Sequence, residues 1–193
     1  MDANLGAEEK RFLLRLAREA IECALRREAL PPLDPQSLTN RLLEPGASFV
    51  TLYSAGELRG CVGGTEPRLP LAQDVREHAI AAAFYDYRFL PLQVEELPGL
   101  QVEVSVLGPV ETLTYDSPDD LLHRLRPGVD GVILTDGARR ATFLPQVWEK
   151  APDPTSFLEL LCRKMGAPPD EWQSGQLQVK TYQVEKFLEI DLT

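Results

Sequence analysis

At 193 residues, with 44% hydrophobic and 26% charged side chains, the chain is long enough for one domain, or one domain with a smaller lobe, and can bury a sizeable core. Its net charge of −10 disfavours a general DNA or RNA binder and an anionic membrane surface, because both rely on clustered Lys and Arg. No apolar run approaches the ~20 residues of a membrane span, and the charged N-terminus lacks the pattern of a secretory signal, so the sequence is read as cytoplasmic.

Residues 7–29 carry Phe12, Leu13, Leu16, Ala17, Ala20, Ile21, Ala24 and Leu25 at helical spacing, and Pro31, Pro32 and Pro35 stop that helix. Asp34 caps a predicted short second helix through Leu38, Leu42 and Leu43. "SFVTLYSA" and "LRGCVGG" then form a predicted β-hairpin about the turn "AGE". "LAQDVREHAIAAAFYD" reads as a helix whose alanines permit close packing on a sheet. "YRFLPLQVEELPGL" is an irregular connector. In "LQVEVSVL", Val102, Val104 and Val106 alternate with Glu103 and Ser105, which marks a strand. Ser117 and Pro118 open a short helix. "GVDGVILTDGARRATFL" is a hairpin about Asp136 and Gly137. Asp153 and Pro154 start a helix that Gly166 closes, and "LQVKTYQVEKFLEI" supplies one or two final strands. The order predicts an α+β fold, a mostly antiparallel sheet with flanking helices.

The three cysteines, Cys23, Cys61 and Cys162, are too few and too scattered for a disulfide framework. With no CxxC and only His78 and His123 for company, they do not make a zinc site. No GxSxG, HExxH or GxGxxG occurs, and "GCVGGT" lacks the GK[ST] of a phosphate loop. The sequence thus implies no metal and no cofactor.

Several blocks resemble the AMMECR family, also called protein A of the AmmeMemoRadiSam system. "GELRGCVGG" at 56–64 is similar to the family signature LRGCIG. "PLAQDV" at 70–75 and "AIAAAFYDYRF" at 79–89 resemble the following helix and DxRF segment. "VEVSVL" at 102–107, "GVDGVIL" at 128–134, "ATFLPQVWEK" at 141–150 and "FLELLCRKMG" at 157–166 match the EVSVL strand, the hydrophobic hairpin, the LPQV motif and the closing helix. The resemblance spans roughly residues 10–190. Val62, Gly64, Tyr87 and Met165 depart from the family pattern, and none of them removes the Arg–Cys or Asp–Arg pair. The resemblance implies a single AMMECR-like domain with a larger and a smaller lobe and a cleft between them. It also implies a role beside Memo-like and radical-SAM proteins in a modification pathway, without supplying a reaction.

The candidate chemistry centres on Cys61. Strand alternation puts Arg59 and Cys61 on one face, where a guanidinium would favour the reactive thiolate. Gly60 and Gly63 would let a substrate approach the backbone. The other reading of Cys61 is a small packed residue in a glycine-rich bend. Of the two histidines His78 is the better candidate base, and its other reading is a surface histidine. Asp86 orienting Arg88 in two-point contact would leave donors for a small anionic substrate, while the plainer role of that pair is to fix the connector. Gln146, in the LPQV motif, is a further candidate ligand contact. Two functions follow: a cysteine-centred substrate or ligand site, or a non-catalytic adaptor in which Cys61 is structural.

Overall fold

The computed structural model describes residues 5–189. In chain order its elements are α1 (Ala7–Arg26), α2 (Asn40–Leu43), β1 (Pro45–Gly46), β2 (Ser48–Ser54), β3 (Glu57–Gly63), β4 (Leu69–Pro70), α3 (Leu71–Phe84) and β5 (Leu100–Leu107). There follow β6 (Glu111–Thr112), α4 (Pro118–Arg124), β7 (Gly131–Thr135), β8 (Arg140–Phe143), α5 (Pro154–Met165), β9 (Gln178–Tyr182) and β10 (Val184–Leu188). The chain divides into two compact units, residues 108–184 forming one and the remainder the other. Helices and antiparallel sheet make up both, an α+β architecture.

In the first unit four strands lie in the order β10-β5-β2-β3, so β3 is an edge. Val50, Leu52, Val102, Val104 and Val106 form one core with α1 and α3. The alanines of α3 allow that approach: Ala79, Ala82 and Ala83 are all buried. The second unit has the strand order β6-β9-β7-β8 and a separate core built on Leu134, Phe157, Leu158 and Leu161. There Trp148 stacks on Phe157 with ring centroids 3.7 Å apart. Its indole N–H donates to the carbonyl of Asp130 at 2.7 Å.

The two N-terminal helices differ from the sequence expectation. The first ends at Arg26 rather than residue 29, because Arg27 turns left-handed (φ 57°) and lets Glu28 N–H close on the carbonyl of Cys23. The prolines therefore stand beyond the stop and do not cause it. The predicted second helix is broken. Asp34 does cap a turn, accepting from Gln36 N–H at 3.0 Å, but the hydroxyl of Ser37 closes that turn on the Asp34 carbonyl. Leu38 is then extended, and α2 starts afresh at Asn40. The final segment forms two strands that join different sheets, and its last predicted residue, Ile190, lies outside the described residues.

Candidate functional site

Strand β3 pairs antiparallel with β2, placing Cys61 opposite Thr51 and Gly60 opposite Leu52. Gly64 N–H donates to the Ser48 carbonyl. Counting inward from that bond, Thr51 and Cys61 are a pair that exchanges no backbone hydrogen bonds, the kind in which side chains stand closest. The Thr51 hydroxyl donates to the Cys61 sulfur at 3.4 Å. Across the sheet Thr51 also faces Glu103 on β5, whose carboxylate is buried and lies 3.5 Å from Lys186 Nζ. Cys61, Thr51 and Glu103 thus form a polar row on the face of the sheet opposite the valines.

The same register turns the backbone of Cys61 outward, away from β2, where an edge strand has no partner. Asp86 and Arg88, just beyond the end of α3, supply one. The Asp86 carboxylate accepts from Cys61 N–H at 2.8 Å, and Arg88 donates to the Cys61 carbonyl at 3.3 Å. Asp86 and Arg88 also grip each other at two points, Nε to Oδ1 at 2.9 Å and Nη2 to Oδ2 at 2.7 Å. The Asp86 side chain is buried whereas Arg88 is 44% exposed. Hydrogen bonding from Arg88, helped by the amide of Cys61, holds the Asp86 carboxyl well below the usual carboxylate range, and Asp86 in turn raises Arg88. Arg88 does not close the carbonyls at the end of α3, which its sequence position would permit; it reaches the strand instead.

The thiol is free and half-buried. Burial pushes its pKa up from the ordinary value; Thr51 and Arg88 pull it down, and the carboxylates of Asp86 and Glu103 add to the rise. At neutral pH Cys61 is therefore a protonated thiol.

Arg59 does not act on this thiol. The register slips between Leu52 and Tyr53, so that Gly60 and Leu58 pair while Arg59 is the extra residue of a β-bulge. A bulge interrupts simple alternation, and with it the argument that placed Arg59 beside Cys61. The Arg59 side chain goes to Glu96, at 2.6 and 3.0 Å, and to the Leu90 carbonyl at 3.0 Å. That hydrogen bonding lowers the pKa of Glu96. Phe89 lies under both guanidiniums, with its ring centroid 5.9 Å from Arg59 and 5.5 Å from Arg88.

The two glycines of the signature serve the backbone. A Cβ at Gly60 would overlap the carbonyl oxygen of Ala82 on α3, and one at Gly63 would overlap Phe49 and the Ser48 carbonyl. The space they clear is filled by the protein itself, not held open for a substrate. Gln146 is exposed and belongs to the second unit, whereas Cys61 and its partners belong to the first.

His78 is partnered rather than simply solvated. Its Nδ1 lies 3.2 Å from Asp74 Oδ2, which also accepts from the buried Ser48 hydroxyl at 2.6 Å. A carboxylate only accepts and Ser48 spends its one proton on it, so the neutral ring carries its proton on Nδ1. Ser48 and Thr51 are three residues apart on an unbroken strand and face opposite sides of the sheet. His78 therefore stands across the sheet from Cys61 and is not its base. The available signal was Asp74 and His78 at helical i,i+4 spacing. Among the described residues no group of three or more His, Cys, Asp or Glu side chains could hold a metal ion, and no helix is long and apolar enough to cross a membrane.

The family profile of AMMECR1 matches residues 14–187, nearly the whole chain. The chain belongs to the AMMECR1 family. Relatives include a protein of Methanopyrus kandleri, 40% identical over 98% of this chain and 92% of its own length. Another, from Methanothermobacter thermautotrophicus, is 42% identical and covers 97% of both chains. An uncharacterised protein of Pyrococcus horikoshii, solved by crystallography, superposes with a TM-score of 0.85 at 36% identity, covering 94% of this chain and 92% of its own. The edge-strand cysteine and its Asp–Arg clamp thus fall within the span matched to the family.

Proposed function

We propose that this AMMECR1-family chain is a cytoplasmic component of a modification pathway, and that the face of β3 carrying Cys61 is its substrate or ligand site. The observation behind this reading is a half-buried thiol flanked by a half-exposed guanidinium. Arg88, fixed by Asp86, offers an anionic group of the substrate a contact beside Cys61. Thr51 supplies a hydroxyl at the sulfur. The thiol meets its ligand in the protonated form, so any covalent use of it needs proton removal once the ligand is bound. Thiol alkylation followed against pH tests the reading. Cys61 should alkylate slowly at pH 7, with an apparent pKa above the ~8.5 reference. Anionic small molecules that occupy Arg88 should protect it. A thiol that no anionic compound protects, and whose replacement in Cys61→Ser leaves pathway output intact, would remove the substrate site.

A second reading, a non-catalytic adaptor working with Memo-like and radical-SAM proteins, is favoured by the packing role of Gly60 and Gly63. In that case Cys61→Ser leaves both partner binding and pathway output unchanged.

A further inference from the structure

The connector after α3 is tied to the rest of the fold by hydrogen bonds, yet it points apolar side chains at solvent. Its backbone is fixed at four points. Phe89 N–H bonds to the Asp86 carbonyl, Leu92 N–H to the Ala83 carbonyl, Gln93 N–H to Glu96, and the Leu90 carbonyl to Arg59. Leu92 is its buried anchor, 2% exposed. On this frame Tyr85 is 76% exposed, Tyr87 95%, Leu90 83% and Val94 49%, and Leu58 on β3 is 42% exposed. Single exposed apolar side chains mean little, but several on one short, hydrogen-bonded segment are what an interaction surface needs. A backbone already tied in place loses little conformational freedom on binding.

The charges around the patch say what kind of partner fits. Residues 57–59 and 85–96 carry four carboxylates, Glu57, Asp86, Glu95 and Glu96, against the two guanidiniums of Arg59 and Arg88. Each guanidinium is balanced by a carboxylate, Arg59 by Glu96 and Arg88 by Asp86, so the exposed Glu57 and Glu95 leave these segments net negative. The whole chain adds a net charge of −10. Exposed tyrosine faces attract cations as well. Long-range field, local charge and rings all select the same chemistry.

We infer that this surface docks a basic, amphipathic segment of a partner protein, with its apolar side chains on Tyr85, Tyr87 and Leu90 and its Lys or Arg residues at Glu57 and Glu95. The inference uses residues distinct from the thiol, so Cys61→Ser leaves it untouched and the two readings fail separately.

The test uses the full chain and two synthetic amphipathic peptides of equal length, one built from Leu and Lys, the other from Leu and Glu, with binding read by fluorescence anisotropy at ~0.15 M salt. The Leu/Lys peptide should bind at least about tenfold more tightly than the Leu/Glu peptide. A Tyr85→Ser, Tyr87→Ser, Leu90→Ser variant keeps the net charge and should lose about tenfold in affinity for the Leu/Lys peptide. Equal binding by parent and triple variant would mean general attraction to an acidic protein and would overturn the proposal. Equal binding of both peptides would overturn the basic chemistry of the partner. Self-association that the triple variant abolishes would assign the patch to a second copy of the chain, again overturning it. Should the triple variant unfold, Tyr87→Ser alone, at the most exposed of the three positions, carries the comparison.

Discussion

Cys61 and Cys162 are both pushed toward the protonated thiol by burial, yet they sit in opposite surroundings. Cys162 is fully buried in α5 within the core of the second unit, among Leu158, Leu161 and Met165. It acts as a small apolar residue. Cys61 is on an edge strand, reached by solvent, with a hydroxyl on its sulfur and an ion pair on its backbone. The direction of the thiol shift is therefore no mark of function. What separates the two cysteines is the set of charged partners and the access to them.

The largest expected effect tests whether packing, rather than a ligand, shaped the strand around Cys61. Gly60→Ala should cost about 3 kcal/mol in urea unfolding, because a backbone carbonyl cannot move aside for the new methyl. Gly64→Ala, where the nearest atom is His78 Cε1 at 3.8 Å, should stay within about 0.5 kcal/mol. Equal costs at the two positions would undo the assignment of Gly60 to packing.

Next comes Asp86→Asn, expected to cost about 2 kcal/mol at neutral pH through weakened hydrogen bonds to Arg88 and Cys61. The folded-state pKa of Asp86 lies below its unfolded value, so its contribution is complete above the unfolded pKa and is lost as pH falls through the folded one. The stability gap between parent and variant should hold above about pH 4 and shrink below it. A gap unchanged down to pH 2 would rule out the charged pair as its source.

Smaller still is the pair of cysteine substitutions. Cys162→Ser buries a hydroxyl in an apolar core and should cost about 1–2 kcal/mol. Cys61→Ser should cost under about 1 kcal/mol, since its side chain already meets a polar neighbour. The reverse order would make Cys61 the structural thiol of the two. Smallest is Arg88→Gln: removing the guanidinium should raise the apparent pKa of Cys61 by a fraction of a unit in alkylation rates. A fall would show that Arg88 does not act on the sulfur.

Much of this was legible in the residues. Alternating valines and the alanine-rich helix marked the sheet and its cover, and the capping residues Ser117, Asp153 and Gly166 stand where the helices begin and end. Asp86 and Arg88 could be paired from their spacing. That they would grip a strand 25 and 27 residues away depends on tertiary packing. Arg59 was misplaced because a bulge cannot be counted from alternation. Glu103 is visibly on the face opposite the valines, but only the fold shows that this face is covered there. His78 looked solvated because Ser48, which helps to orient it, is distant in sequence.

One carboxylate holds both the amide of Cys61 and the guanidinium of Arg88. The Cys61 amide is consequently a built-in reporter. A ligand that draws Arg88 away would alter the acceptor of that amide, so its hydrogen-exchange rate and proton chemical shift would follow occupancy of the proposed site with no label attached to the sulfur.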